Sequence, residues 1–190
     1  MKKHLNEMTL EELWELFPIS LVPHRKEWKV IFNDEKNLLL DIFYTIDTKS
    51  IEHIGSTAIP SIYAKDIVDI LIEVDSKNFI RAIEILKSNG YILMNESKNR
   101  ATFNKGYTEN GFADKVFHLH LRQNNDIDEL YFRDYLIDFP EIAKDYEKLK
   151  LGIWKQYEHN RDAYTKAKTK FIKDMTLKAK QLYKNRYKLH

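Results

Sequence analysis

A glycine-serine turn is the part of this sequence whose residue types are best suited to binding a phosphate. The stretch 53–61 reads His-Ile-Gly-Ser-Thr-Ala-Ile-Pro-Ser, and Gly55, Ser56 and Thr57 follow a short apolar run. Glycine lets the backbone approach a phosphate closely, and serine hydroxyls and neighbouring amides can hydrogen-bond its oxygens. Lys65 is a further candidate contact for the same anion. The alternative is an ordinary strand-to-helix turn in which the serine is only an N-cap.

Asp69 is the acid that the sequence places nearest to this turn, and we assign it the catalytic role. It stands in the alternating apolar run 66–74, which is typical of a half-buried strand. A carboxylate there could hold Mg²⁺, which neutralises the charge that develops during nucleotidyl transfer. It could instead pair with Lys65 or Arg122, because a buried acid is costly unless it is paired.

The second acid of a two-metal mechanism is missing from the same strand face. Side chains on one face recur at every second residue, and the position two after Asp69 is Leu71. Glu73 shares that face but lies about 13 Å further along at ~3.3 Å per residue. Asp66 points to the opposite face. The spacing therefore argues against a two-metal transferase.

Two histidines on a later strand could take the place of the missing acid. In the run 116–122, His118 and His120 alternate with apolar residues and so share one face, about 6.6 Å apart along the strand. With Asp69 and His53 they could bind Zn²⁺ or Mn²⁺ rather than Mg²⁺. They could also contact a phosphate, or serve as hydrogen-bonded structural histidines.

Two cations in the C-terminal third are further candidate anion contacts. Arg133 could reach a phosphate, or it could brace its helix through a salt bridge with Asp134 or Glu129. Lys166 and Lys170 are i,i+4 neighbours on a predicted helix, where like charges repel mildly. An anion between them would relieve that repulsion, and a solvated helix face is the alternative.

Taken together, these stretches resemble the GrpB family. The resemblance covers roughly residues 22 to 182, and its matching stretches follow in the expected order: 53–60, 64–65, 69–70, 118–121, 132–136 and 164–172. The first of them, His-Ile-Gly-Ser-Thr-Ala-Ile-Pro, is the most specific. The resemblance implies a nucleotidyltransferase-like fold and an activity that is poorly defined for the family.

The elements that must position these residues form one predicted α/β (α+β) domain. It consists of a small mixed sheet of nucleotidyltransferase-like type, flanked by helices, with a C-terminal helical segment. Strands are predicted at 51–54, 66–74, 91–94, 100–104 and 115–122. Helices are predicted after an N-cap at Thr9, at 24–45, at 76–89 with Ser76 as cap and Gly90 at C′, and at 127–138, 140–159 and 162–187. Gly106 and Gly111 are expected to mark turns. We treat 1–190 as a single domain, with a core at about 22–182 and a helical tail at about 126–190.

Composition narrows the possible partners. Cysteine is absent, which excludes disulfides, thiol nucleophiles and thiolate metal sites. No run approaches the ~18 apolar residues of a membrane span, and no apolar segment typical of a secretion signal follows the first basic residues. We therefore expect a cytoplasmic protein with no membrane partner.

Charge is nearly balanced overall but uneven along the chain. A net charge of +2 is too small to indicate a general nucleic-acid binder. Residues 166–188 nevertheless hold nine lysines and arginines against one acid, which fits a solvated helix face or, as the alternative, an RNA contact.

The function predicted from the sequence is binding of a nucleotide or other small phosphate-bearing ligand with a divalent metal (Mg²⁺, Mn²⁺ or Zn²⁺), with nucleotidyl transfer possible. The alternative is a non-catalytic module that binds a protein partner, a small anion or RNA.

Overall fold

The computed structural model of the protein describes residues 3–123, 125–184 and 186–187. The ends of the predicted 1–190 domain, and Lys188 of the basic stretch, lie outside these residues. The strands are β1 (Thr48–Ile54), β2 (Val68–Val74), β3 (Ile92–Glu96), β4 (Arg100–Thr108) and β5 (Gly111–Gln123). The α-helices are α1 (Leu10–Leu16), α2 (Glu27–Ile42), α3 (Phe79–Ser88), α4 (Asp128–Asp138), α5 (Pro140–Ile153) and α6 (Arg161–Leu182).

The strands form one mixed sheet in the order β1-β2-β5-β4-β3. Only the β2–β5 pair is parallel, and the other three pairs are antiparallel. A parallel pair needs a long crossover, and here α3 and the β3–β4 hairpin provide it. The predicted class, α/β with a small mixed sheet, flanking helices and a C-terminal helical segment, is confirmed.

The two faces of β2 are covered by different helices. The alternating residues Val68, Ile70, Ile72 and Val74 pack with α2 and α3 in the main apolar core, as their spacing predicted. On the opposite face, Leu71 packs with Ile127 and Leu130 at the start of α4. Asp69 shares this second face, so its carboxylate points away from the main core and towards the C-terminal helices.

Several element boundaries differ from the predicted ones. Thr9 caps α1, and its hydroxyl accepts from the amide of Glu12 at 3.2 Å, as expected. Ser76 is not the cap of α3, because a 3-10 turn over Ser76–Asn78 precedes the helix, and Asn78 is its N-cap residue. The helix predicted at 140–159 ends at Ile153.

Gly106 is a bulge rather than a turn. It lies inside β4, where the register with β5 shifts between Lys105 and Tyr107. Its φ is +88°, and a Cβ there would lie 2.3 Å from the carbonyl oxygen of Lys115. A bulge of this kind needs a glycine because the partner strand approaches so closely. The strand pair continues past it to the turn before Gly111, which makes β4 and β5 longer than predicted.

Within the described residues, no helix combines the length and the apolar character needed to cross a bilayer.

Candidate functional site

The glycine-serine turn follows β1 directly. Ile54, the last residue of β1, is the register partner of Asp69 on β2, so the turn begins beside that carboxylate. Gly55 has φ +70° and ψ −171°, a conformation that is essentially restricted to glycine. Ser56 then opens a short 3-10 turn that ends at Ala58. The turn and the acid, 14 positions apart in the sequence, therefore meet at one corner of the sheet.

The carboxylate of Asp69 lies against two imidazoles from the neighbouring strand. His118 is its register partner on β5, and Nδ1 of this histidine lies 3.3 Å from Oδ1 of Asp69. His120 brings its Nε2 to 3.8 Å from the same oxygen. Burial alone would raise the pKa of Asp69, but hydrogen bonds from the two histidines outweigh it and hold the pKa well below its usual value. Asp69 is therefore a carboxylate anion at neutral pH.

The outer nitrogens of the two histidines fix their tautomers. Nδ1 of His120 lies 3.1 Å from Nη2 of Arg122, which can only donate, so the proton of His120 is on Nε2 and faces Asp69. Nε2 of His118 lies 2.6 Å from the Tyr107 hydroxyl. Burial lowers the pKa of His118 to about 4, so its ring is neutral and the proton on Nδ1 is the one donated to Asp69. Both rings thus present an N–H group to Oδ1 of Asp69, with the two nitrogens 3.3 Å and 3.8 Å from that oxygen.

Four cations surround this corner, and we call them the cation cluster: Lys65, Lys150, Arg161 and Lys168. Lys65 precedes β2, Lys150 is on α5, and the other two are on α6. Burial, with repulsion from Arg161, lowers the pKa of Lys65 to about 8. Burial also lowers the pKa of Lys150 to about 7. For Lys168, burial and then repulsion from Lys65 and Lys150 lower the pKa to about 7. Burial is the largest cause for all three lysines, so Lys150 and Lys168 are only partly protonated at neutral pH in the free protein. Lys150 also donates to the carbonyl of Tyr63.

The turn, the acid, both histidines and the cation cluster line one cavity of about 550 Å³, which we call the cationic cavity. Two other acids line it, but each already has a cationic partner. Asp128 pairs with Lys180, and Glu129 accepts from Nη2 of Arg122 at 2.6 Å. Among the described acids that line the cavity, Asp69 is thus the one whose charge faces the cluster, and Glu147, which does not line it, also attracts Lys150. The cavity suits an anion because its cations outnumber the acids that could neutralise them.

The structure brings together seven of the residues predicted from the sequence and places three elsewhere. Gly55, Ser56, Thr57, Lys65, Asp69, His118 and His120 all line the cationic cavity. His53 is outside it and supports the turn instead: its Nε2 lies 2.9 Å from the hydroxyl of Thr57, and its ring stacks on Phe32. Burial lowers the pKa of His53 to about 4.

Arg133 is also outside the cavity and serves as a brace between α4 and β1. Its Nη1 donates to the carbonyl of His53 at 2.9 Å and to Glu52 at 3.2 Å, and its Nε donates to Asp134 at 2.7 Å. The salt bridge with Asp134 is the alternative that the sequence left open. Because two of these three acceptors belong to β1, the guanidinium of Arg133 holds α4 to that strand.

Lys166 is exposed on α6 and lines a different cavity. Its i,i+4 neighbour Lys170 pairs with Asp174 at 2.6 Å, so the lysine pair is already partly neutralised. Three members of the cation cluster were missed by the sequence reasoning: Lys150, Arg161 and Lys168. A signal for two of them was present, because the cavity-lining residues 161, 165, 168, 172 and 176 recur at the spacing of one helix face.

The donor set at this corner does not fit a Mg²⁺ site built on two carboxylates. Within the described part of the chain, no group of three or more His, Asp or Glu residues is arranged to hold a metal ion. Leu71, at the position of the second acid, is fully buried, and Glu73 accepts from the amide of Asn125 at 2.6 Å. The nitrogens of His118 and His120 that face Asp69 carry protons and have no lone pair for a metal. The transition-metal site stays a prediction.

Comparisons with known proteins agree with the resemblance seen in the sequence. The family described as GrpB protein matches residues 18–178. The protein YqkA of Bacillus subtilis is 33% identical over 184 residues, which are 93% of this chain but 52% of that protein, so the chain spans about half of its length. The glutamate-rich protein GrpB of Alkalihalophilus pseudofirmus is 33% identical over 164 residues, covering 83% of this chain and 93% of that protein. The crystal structure of the conserved protein GrpB from Enterococcus faecalis superposes with a TM-score of 0.74 at 27% identity, covering 86% of this chain and 99% of that one.

Proposed function

Because this chain belongs to the GrpB family, whose name assigns no chemistry, we propose its function from the site: it binds a small phosphate-bearing ligand, such as a nucleotide, in the cationic cavity. One observation carries the proposal. Lys65, Lys150, Arg161 and Lys168 line one cavity of about 550 Å³ together with the glycine-serine turn, and burial, with repulsion among these cations, lowers the pKa of the three lysines to about 7 or 8. A bound anion would remove the repulsion and let these lysines keep their protons at neutral pH.

The turn adds donors of its own to the cluster. The first amides of a helical turn have no acceptor within it, and here they belong to Ser56 and Thr57. The Ser56 side chain lies next to the Tyr146 hydroxyl, which also faces the cavity. Phosphate oxygens accept hydrogen bonds from amides, hydroxyls and ammonium groups alike, and this cavity offers all three. In the proposed complex the phosphate lies between the turn and α6.

Nucleotidyl transfer is the finer form of this proposal. It would need a divalent cation, which Asp69 would hold, and His118 and His120 could join it as ligands only with a lone pair turned towards it. Such a cation would supply charge neutralisation at the phosphates. The residues of this chain would supply the rest: Ser56 and Lys65 would orient the phosphate, and Arg161 would stabilise negative charge on it.

A non-catalytic binding module is the second candidate, and the fully buried Leu71 favours it. With that residue at the position of the second acid, β2 presents one carboxylate to the cavity, and that carboxylate already faces the N–H groups of two imidazoles. Binding without turnover needs nothing more than the cations and the turn. The RNA version is less favoured, because cations of the basic C-terminal stretch pair with acids, as Lys170 does with Asp174 and Arg186 with Asp138.

Isothermal titration tests the proposal directly. Phosphate, pyrophosphate and nucleoside triphosphates are titrated into the protein with and without Mg²⁺, Mn²⁺ or Zn²⁺. We expect binding of at least one of these anions, and a loss of about tenfold to a hundredfold in Lys65→Met, because a hydrogen bond to a charged group contributes ~1.5–3 kcal/mol.

Lys148→Met is the matched control. Lys148 is exposed on α5, two residues from the cluster, and lines neither cavity. The anion affinity of the Lys148→Met variant should match that of the unmodified protein. If no anion binds under any metal condition, or if both lysine variants lose affinity equally, the cationic cavity is not the binding site.

A further inference from the structure

A second, larger cavity adjoins the cationic one. It has a volume of about 1410 Å³, and we call it the apolar cavity after a group of its lining residues that includes Leu13, Trp14, Phe17, Leu93, Met94 and Phe112. Polar residues such as Asn95, Asn104 and Glu109 line it as well. It lies between the N-terminal segment that contains α1 and the β3–β4 hairpin. Pockets for drug-sized molecules usually measure ~300–1,000 Å³, so this one has room for an extended group.

The two cavities share a wall of mainly polar residues, with Ile67 as its apolar member. Lys65, His118, His120, Arg161 and Thr165 line both of them. A molecule held by the cation cluster on one side of this wall is therefore in contact with residues that open into the apolar cavity. The site as a whole has a positively charged compartment and an apolar compartment next to each other.

Apolar side chains of this second compartment are exposed to water in the free protein. Leu10 is 58% exposed, Met94 53%, Ile92 46% and Phe112 41%, and all four line the apolar cavity. Grouped apolar exposure of this kind marks binding surfaces, because water contact with apolar side chains is unfavourable and a partner relieves it. The partner must be apolar where it meets these residues.

From this juxtaposition we propose that the ligand is an amphiphilic phosphate, whose phosphate group binds in the cationic cavity and whose hydrocarbon chain lies in the apolar cavity. The inference rests on the proposed function and adds the chemical class of the ligand. The phosphate headgroup is assigned to the cationic cavity because its charge complements the cation cluster. The chain is assigned to the apolar cavity because that cavity adjoins the first one at the shared wall. A nucleobase is the competing occupant, because Asn95, Asn104 and Glu109 also line this cavity, and the grouped exposed apolar side chains favour the hydrocarbon chain over it.

Four probes separate the parts of this proposal in isothermal titration: inorganic phosphate, octyl phosphate, 1-octanol and AMP. We expect octyl phosphate to bind at least about tenfold more tightly than inorganic phosphate, since burying each methylene is worth ~0.8 kcal/mol, which is roughly a fourfold gain. We expect 1-octanol to bind at least about tenfold more weakly than octyl phosphate, because it lacks the anion.

A pair of variants locates the chain. Met94→Glu puts a charge on the exposed edge of the apolar cavity and should remove most of the octyl gain, while the affinity for inorganic phosphate stays unchanged and so reports a folded protein. Ile80→Glu is the control, because Ile80 is 63% exposed on α3 and lines neither cavity. It should keep the full octyl gain.

The outcomes distinguish this inference from the proposed function. If inorganic phosphate binds but octyl phosphate gains nothing, the amphiphile is overturned and phosphate binding stands. If AMP gains more than octyl phosphate, the second compartment holds a base and the inference is wrong. If 1-octanol binds as tightly as octyl phosphate, the phosphate group contributes nothing to the affinity and the inference is wrong. If none of the phosphates binds, the proposed function itself fails.

Discussion

A Cβ added to Gly55 would lie 2.2 Å from Oδ2 of Asp69 and 2.9 Å from its Cβ. The glycine is therefore required twice, once by its positive φ and once by the acid packed against it. This contact joins the glycine-serine turn to the carboxylate that lies among the cations. Any shift of the one residue must move the other.

Gly55→Ala should destabilise the protein by more than about 2 kcal/mol, because a strained backbone conformation and overpacking each cost ~1–3 kcal/mol. Urea unfolding measures the loss. Gly90→Ala is the matched control: Gly90 also has a positive φ, +83°, but nothing lies within 4 Å of its added Cβ. It should cost only the backbone strain, about 1 kcal/mol. Equal losses in the two variants would show that the contact with Asp69 contributes nothing.

Asp69→Asn should strengthen anion binding several-fold, because it removes the negative charge that faces the incoming phosphate. The same change should cost about 1–3 kcal/mol of folding free energy, since the two imidazoles lose their charged acceptor. Titration with sulfate and urea unfolding measure the two effects. If Asp69→Asn instead abolishes phosphate binding together with metal uptake, measured by elemental analysis, Asp69 holds the ligand through a bridging cation.

The lowered pKa values of the lysines predict how stability and anion binding depend on pH. Between pH 7 and 10 the unfolded chain holds more protons on Lys65, Lys150 and Lys168 than the folded chain does, because their folded pKa values are about 8, 7 and 7 and the ordinary value is 10.5. Their unfavourable contribution to folding is therefore full below pH 7 and is relieved as the pH rises towards 10.

The pH dependence of sulfate affinity measures the protonation of the same three lysines, because sulfate does not itself titrate in this range. It should bind more tightly at pH 6.5 than at pH 9 and should take up protons near pH 8, as bound lysines regain their charge. Titrations in two buffers of different ionisation enthalpy count those protons. Affinity that does not change between pH 6.5 and pH 9 would mean that these lysines do not contact the anion.

Variants of Arg133 and Arg161 should distinguish an arginine that stabilises the fold from one that binds the anion. Arg133→Met removes two hydrogen bonds that hold α4 to β1 and a third within α4, so we expect a loss of more than about 1.5 kcal/mol in urea unfolding and an unchanged sulfate affinity. Arg161→Met should do the reverse, with at least a fivefold loss of sulfate affinity and a smaller loss of stability. If Arg133→Met weakens sulfate binding as much as Arg161→Met does, the anion is held nearer to β1.

The sequence alone determined the local elements and which strand side chains share a face of the sheet. Alternation along β2 predicted which side chains enter the core, and the spacing around Asp69 predicted the missing second acid. Alternation in the run 116–122 predicted the shared face of His118 and His120. These features depend on the two-residue repeat of a strand, which is visible in a short window of sequence. Errors fell where a local signal had two meanings, as at Ser76 and Gly106, since the same residue types form caps, 3-10 turns and bulges.

The tertiary structure decided what the predicted residues do. Arg133 and His53 carry the right chemistry for an anion, but packing commits one to bracing β1 and the other to Thr57. Lys150 and Lys168, far away in the sequence, complete the cation cluster only because α5 and α6 fold back over the sheet. Charge neutralisation and burial depend on distances in space between residues up to a hundred positions apart, and strand or helix periodicity holds no information about those distances.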